Sequence, residues 1–137
     1  MANSNRVGAN LPTNFGNFVI AQSGPVNLAA TGNAVSTLST EGTSFVVRRV
    51  SVFGTTGNVA LANVAIYSSN DGNVSNIVTA NTVLSTVTGT TKYQDMTLSS
   101  TANNTVYTTG AFFVCVNTAS GNTNTAVFTV FGDVVTP

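Results

Sequence analysis

The chain reads as an all-β protein, one antiparallel sandwich or barrel, on three observations. Short runs rich in Val, Thr, Ile and Phe recur along it, and Gly, Asn and Ser interrupt them every few residues. Two long runs, residues 44–53 and 125–135, are β-branched and aromatic, with few strong helix formers. No window sets apolar residues at i, i+3, i+4 and i+7 among good helix formers. Short strands at this spacing build sandwiches or barrels, and no fixed internal period signals a solenoid or a propeller.

In chain order, residues 1–17 are rich in Asn and Gly, with Pro12 and scattered apolar residues, and read as an extended N-terminal arm without a core of its own. Residues 18–137 then form a single domain. Its strands are expected at 18–21, 26–29, 35–38, 44–53, 59–68, 82–87, 92–98, 105–108, 111–117 and 125–135. Turn chemistry separates them. Ser69-Asn70-Asp71-Gly72-Asn73 is the strongest turn signal, because Asn, Asp and Gly tolerate positive φ and Asn/Asp side chains can close a turn themselves. Thr55-Thr56-Gly57-Asn58 and Ala119-Ser120-Gly121-Asn122 are similar.

Two strands blur the in-out alternation of a half-buried sheet. Phe45-Val46-Val47-Arg48-Arg49-Val50-Ser51-Val52-Phe53 carries apolar residues on both faces, and Ala126-Val127-Phe128-Thr129-Val130-Phe131 does the same. One face packs on the partner sheet; the other meets a second subunit or belongs to a tightly packed central strand.

With 137 residues, 42% of them hydrophobic, the chain is long enough to bury a core. Only 6% are charged, against roughly 25% in a typical soluble protein. The bases are Arg6, Arg48, Arg49 and Lys92; the acids are Glu41, Asp71, Asp95 and Asp133. Nucleic acid is not an expected partner, since a phosphate-binding surface needs clustered Lys and Arg. Anionic lipid is excluded on the same ground, and no apolar run approaches the length of a spanning helix. The N-terminus lacks the apolar core of a secretory signal, so synthesis in the cytoplasm is expected. Exposed edges are usually guarded by charge. Here closed edges, bulges or subunit contacts must serve instead, and a surface this neutral is expected to be covered in use.

Catalytic chemistry is scarce. There is no histidine, so neither a Ser-His-Asp nor a Cys-His arrangement can form, and His/Cys metal clusters are excluded. The single Cys115 rules out an internal disulfide and reads as a buried small hydrophobe. Asn70-Asp71-Gly72-Asn73 offers one carboxylate but lacks the spaced acids of a calcium loop. Glu41 and Asp95 are the formal candidates for a glycosidase pair, with nothing to bring them together. The glycosylation sequons at Asn73 and Asn103 are ordinary in so Asn- and Thr-rich a chain. No phosphate loop or dinucleotide fingerprint is present. No enzyme and no cofactor are expected.

Arg48-Arg49 is the charged feature that stands out. Adjacent strand residues point to opposite faces, so the two are expected apart, one towards an apolar face. An ion pair with Asp95, Asp133 or Glu41 at the rim is one reading; a subunit-interface arginine is the other. Phe15 in the arm and Phe18 at its junction join Arg48 and Arg49 as candidate interface residues. Tyr67, Tyr93 and Tyr107 are candidate stacking residues for a carbohydrate, with core or rim packing as the plainer role.

The Phe45-Val46-Val47-Arg48-Arg49-Val50-Ser51-Val52 run, the strand end Ala65-Ile66-Tyr67-Ser68-Ser69 and the closing 126–135 segment through Gly132-Asp133 resemble those of tailed-phage capsid decoration (cement) proteins, over roughly residues 44–135. The resemblance implies a jelly-roll-like sandwich that trimerises on the outer surface of a capsid and clamps neighbouring major capsid subunits. It implies a homo-oligomer, the major capsid protein as partner and a place in the virion. A receptor- or glycan-binding sandwich and a tail or neck subunit of the virion are the alternatives.

Overall fold

A computed structural model describes residues 18–40, 44–69, 78–108 and 111–136. The N-terminal arm with Phe15, the residue Glu41 and the expected turn at Asn70-Asp71-Gly72-Asn73 with its sequon lie outside the described residues. Nine strands follow one another: β1 (Phe18–Gln22), β2 (Val26–Asn27), β3 (Gly32–Thr40), β4 (Ser44–Phe53), β5 (Asn63–Tyr67), β6 (Thr82–Val83), β7 (Tyr93–Met96), β8 (Ala111–Thr118) and β9 (Thr125–Thr136). The only helical element among the described residues is a 3-10 turn at Ala102–Asn104.

The fold is an all-β sandwich. Strand order runs β6-β5-β8-β3-β1-β9-β4-β7, every pairing is antiparallel, and the short β2 adds to β9. The β1–β3 junction carries only two paired positions, Ala21 with Thr40 and Gln22 with Ser39. On either side of it the ribbon doubles over, β6-β5-β8-β3 against β1-β9-β4-β7. Phe45 of β4 and Phe112 of β8 share no ladder, yet their rings lie 5.6 Å apart, which requires the two layers to face each other. Around this pair one core gathers Ile20, Leu28, Val50, Ile66, Leu84 and Phe128, all essentially without solvent contact. The pairings also nest: β5 with β6, β4 with β7, β3 with β8 and β1 with β9.

Several expected strands are shorter than their apolar runs. Residues 59–62 form a turn closed by Ala62 N–H to the Val59 carbonyl, so only Asn63–Tyr67 of that run is strand. Leu84 and Val87 close a similar turn after β6. Residues 105–108 are not a strand; Tyr107 exchanges a pair of backbone hydrogen bonds with Phe45 (2.9 and 2.7 Å) and sets its ring edge-on to Phe112, 5.7 Å away, as a lid on the core. In each case burial demanded the apolar residue while the backbone turned.

The edge problem posed by the low charge is solved by closure. Beyond β6 and β7 the chain pairs across the remaining gap: Ala80 N–H bonds the Thr97 carbonyl (2.8 Å), Ser99 N–H bonds the Val78 carbonyl (2.9 Å), and Thr79 sits opposite Leu98. The Gln94 amide of β7 donates to the Val83 carbonyl of β6 at 2.9 Å. The segments flanking the two outer strands thus close the gap between them, with the Gln94 side chain as a bond from strand to strand, and this takes the place of guarding lysines.

Bulges do the rest. Val47 pairs with Gly132 and Arg49 with Phe131, so Arg48 is an extra residue in β4. Val19 pairs with Phe131 and Ala21 with Val130, so Ile20 is an extra residue in β1. These bulges flank Phe131 from both sides, and each resets the alternation of its strand. In β1 both Ile20 and Ala21 turn inward; in β4 the core takes Phe45, Val47, Val50 and Val52, leaving Arg48 and Arg49 together outside. The expectation that the two arginines part to opposite faces is therefore wrong: it assumed an unbroken two-residue period. The apparent two-faced apolar pattern of β4 is largely this shift of phase.

Candidate functional site

The outer face of the β1-β9-β4-β7 layer collects the polar chemistry of the domain. The ladders align Gln22, Thr129, Ser51 and Asp95 in a row across four strands. The Gln22 amide donates to Thr129 Oγ1 at 3.1 Å. At the other end, Ser51 Oγ and Tyr93 OH both donate to Asp95 Oδ1, at 2.8 and 2.6 Å. Ser51 and Thr129 are 1% exposed although they face outward, because longer neighbours close over them.

Of the eight charged residues in the chain, Arg6, Glu41 and Asp71 lie outside the described residues; the other five sit on β4, β7 and β9 or beside them. Arg48 Nε lies 3.0 Å from Asp133 Oδ2, an ion pair between the β4 bulge and β9. The Arg49 guanidinium stacks over Phe131, with Cζ 4.3 Å from the ring centroid. Its Nε stands 4.0 Å from Asp95 Oδ1, shielded from solvent and without a hydrogen-bond acceptor among the described residues. Both arginines thus have acidic partners within the sheet, two of the three acids their sequence context suggested. Phe18 is partly buried and packs against the core edge.

No protein family model matches the chain. Neither a curated protein nor a solved structure matches it. The site must therefore be judged on its own geometry.

That geometry is poor in reactive groups. Among the described residues, no three His, Cys, Asp or Glu side chains come together in a metal-binding group. Cys115 lies on β8, in the other layer, packed with Ala65 and Tyr67 and donating to the Gly32 carbonyl at 3.2 Å. Of the three tyrosines, Tyr67 and Tyr107 are buried and Tyr93 is 47% exposed. Sequence reasoning had singled out the arginines, Asp95 as an acidic partner and Tyr93 as a stacking candidate, but missed Ser51 and Phe131. The alternating Tyr93-Gln94-Asp95 and Ser51-Val52-Phe53 place those side chains on one face of each strand, but only the register brings Ser51 opposite Asp95.

At one end of the sandwich, two loops are laced by neutral side chains. The Asn122 and Asn124 amides donate to the Asn58 carbonyl (2.8 and 3.2 Å), and Thr56 Oγ1 donates to Asn124 Oδ1 (3.2 Å). The amide- and hydroxyl-rich surface expected from composition is thus partly consumed in holding the loops together.

The buried titratable groups predict the pH profile. Burial pushes the Cys115 thiol and the Tyr107 and Tyr67 phenols above their ordinary values of 9.0 and 10.0; a hydrogen bond from Thr105 partly opposes this at Tyr107, and Cys115 adds to it at Tyr67. The folded state therefore holds these protons longer than the unfolded chain. Their contribution is complete below the unfolded values and is lost as pH rises through the folded ones. The urea midpoint is expected to be level with respect to these groups from pH 6 to 8 and to fall above pH ~9. A midpoint that rose in that alkaline range would contradict the burial of all three.

Proposed function

We propose that this protein is a non-enzymatic structural protein of a phage virion, which decorates the capsid and stabilises it by clamping neighbouring major capsid subunits. The observation that carries the reading is the surface: a sandwich closed by backbone bonds between the segments that flank its outer strands, with every described charge gathered on or beside one layer. Such a module offers a face to lay against a partner and little with which to do chemistry. The nested pairings agree with it, since two interleaved Greek keys wrap a chain in this order in the jelly rolls common among capsid domains. Repetition of weak contacts in an oligomer, a trimer on this reading, adds their strengths through effective concentration. Residues 1–17 extend the contact as an arm ordered on a neighbour, and Phe15 and Phe18 anchor it.

Purified expanded heads lacking the protein test this directly. Recombinant protein is expected to co-sediment with them at saturable occupancy, and the chain without residues 1–17 to bind more weakly. Equal occupancy without the arm would remove the arm from the account; no binding to heads by the full chain would remove the capsid role. Exposed Tyr93, beside the Asp95 carboxylate, favours one alternative: a ring and a hydrogen-bonding group placed to receive a sugar. A glycan array with the same preparation distinguishes that reading, and copy number in virions separates a capsid from a tail or neck position.

A further inference from the structure

We propose that the outer face of the β1-β9-β4-β7 layer is where a second copy of this chain packs, with Arg49 of one copy set against Asp95 of the other. The inference rests on the self-association in the reading above and not on the capsid; a face that meets its own copy makes a two-fold pair, so it concerns pairing of two copies and not the ring of a trimer.

Four observations lead to it. The outer strands are bonded to each other through residues 78–83 and 94–99, so a partner strand finds no open edge there and must use a face. The charges of the described residues concentrate on this face, where charge fixes orientation between partners. Arg48 and Arg49 are balanced by Asp95 and Asp133, and Lys92 beside β7 leaves a single positive charge, too little to attract a strongly acidic or basic partner. A second copy brings the same pattern and meets each cation with an anion. Finally, the Arg49–Asp95 pair within one chain is slack. At 4.0 Å it makes no hydrogen bond, and the two side chains keep 43% and 50% of their surface exposed.

Around that pair stand exposed apolar side chains, Tyr93 being of the type that anchors interfaces. Val19 and Tyr93 are 41% and 47% exposed, and Phe53 and Phe131 are partly exposed beside them. A second copy would cover these apolar groups and place a carboxylate near the Arg49 fork, whose planar geometry suits it.

The test is a mixing experiment read by light scattering over a dilution series. The native chain is expected to associate. Arg49→Glu makes the face acidic and Asp95→Arg makes it basic, so each alone is expected to weaken association by about tenfold or more through like-charge contact. Mixed in equal amounts, the two variants are expected to associate again, because each supplies the charge the other lacks. Pairing confined within one chain cannot produce that rescue. Val19→Lys, whose side chain takes no part in the hydrogen-bonded row, is expected to weaken association as well, with a thermal transition as the check that all variants fold. A monomeric native chain, unchanged association in the variants or no rescue on mixing would each overturn the proposal. Head co-sedimentation by a chain that is monomeric in solution would overturn this inference while leaving the capsid reading standing.

Discussion

Gly132→Ala is expected to unfold the protein or lower its melting temperature by about 10 °C or more, the cost of overpacking a site that cannot relax. Gly132 lies in β9 opposite Val47 of β4 and Phe18 of β1, at the place where the two bulges flank the strand. A Cβ built there would collide with the Val46 carbonyl oxygen and sit 2.7 Å from Ile20 Cδ1. The first obstacle is backbone, held in the central ladder of the layer, so relief requires β4 and β9 to part. That loss is of order 3 kcal/mol, a large share of an ordinary domain's stability. Gly24 provides the control, because a Cβ there meets nothing within 4 Å. Gly24→Ala should leave the melting temperature nearly unchanged or raise it slightly. Thermal unfolding followed by circular dichroism checks both. Equal transitions in the two variants would mean that β9 and β4 do not approach so closely.

Phe112→Ala is expected to be comparably severe for the opposite reason, a void. Phe112 is fully buried, and its ring touches Phe45 from the facing layer and Tyr107 from the lid. Removing it strips the only ring on the β8 side of that cross-layer contact and leaves a cavity that stiff strands cannot close. The loss expected for such a change is about 3–5 kcal/mol, read as a fall in the urea midpoint. A double-mutant cycle between Phe112→Leu and Phe45→Leu should return a coupling of roughly 1 kcal/mol, the excess that aromatic pairs carry beyond buried area. Leu61, 72% exposed, is the contrasting large apolar residue. Leu61→Ala should shift stability by no more than about 0.5 kcal/mol. A coupling near zero would place Phe45 and Phe112 in separate parts of the core.

The same two residues mark the boundary of what could be read from the chain. Strand character was legible because it is local: the β-branched run Ser44–Phe53 matches β4 to the residue, and Thr125–Thr136 extends the expected final strand by one. The all-β sandwich, the loops at Gly57 and Gly121, and acidic partners for the arginines followed from composition and pattern. Phe112 could be assigned to a core, since buried strands require such residues.

What Gly132 does was not legible. It stands in the middle of a strand because two neighbouring backbones close on it, and that approach depends on residues more than 80 positions away. The Arg48 bulge is of the same kind. A period of two is a property of one unbroken strand, whereas an inserted residue is accepted or refused by the ladder of the neighbour. Register therefore decided that Arg48 and Arg49 share the outer face, that Ser51 meets Asp95, and that β6 and β7 close the sandwich without charge. Residue chemistry by itself determined which segments would be strands and which groups were available for function. Only the tertiary structure decided which of those groups meet, because pairing across strands is settled by burial and backbone hydrogen bonding summed over the whole sheet.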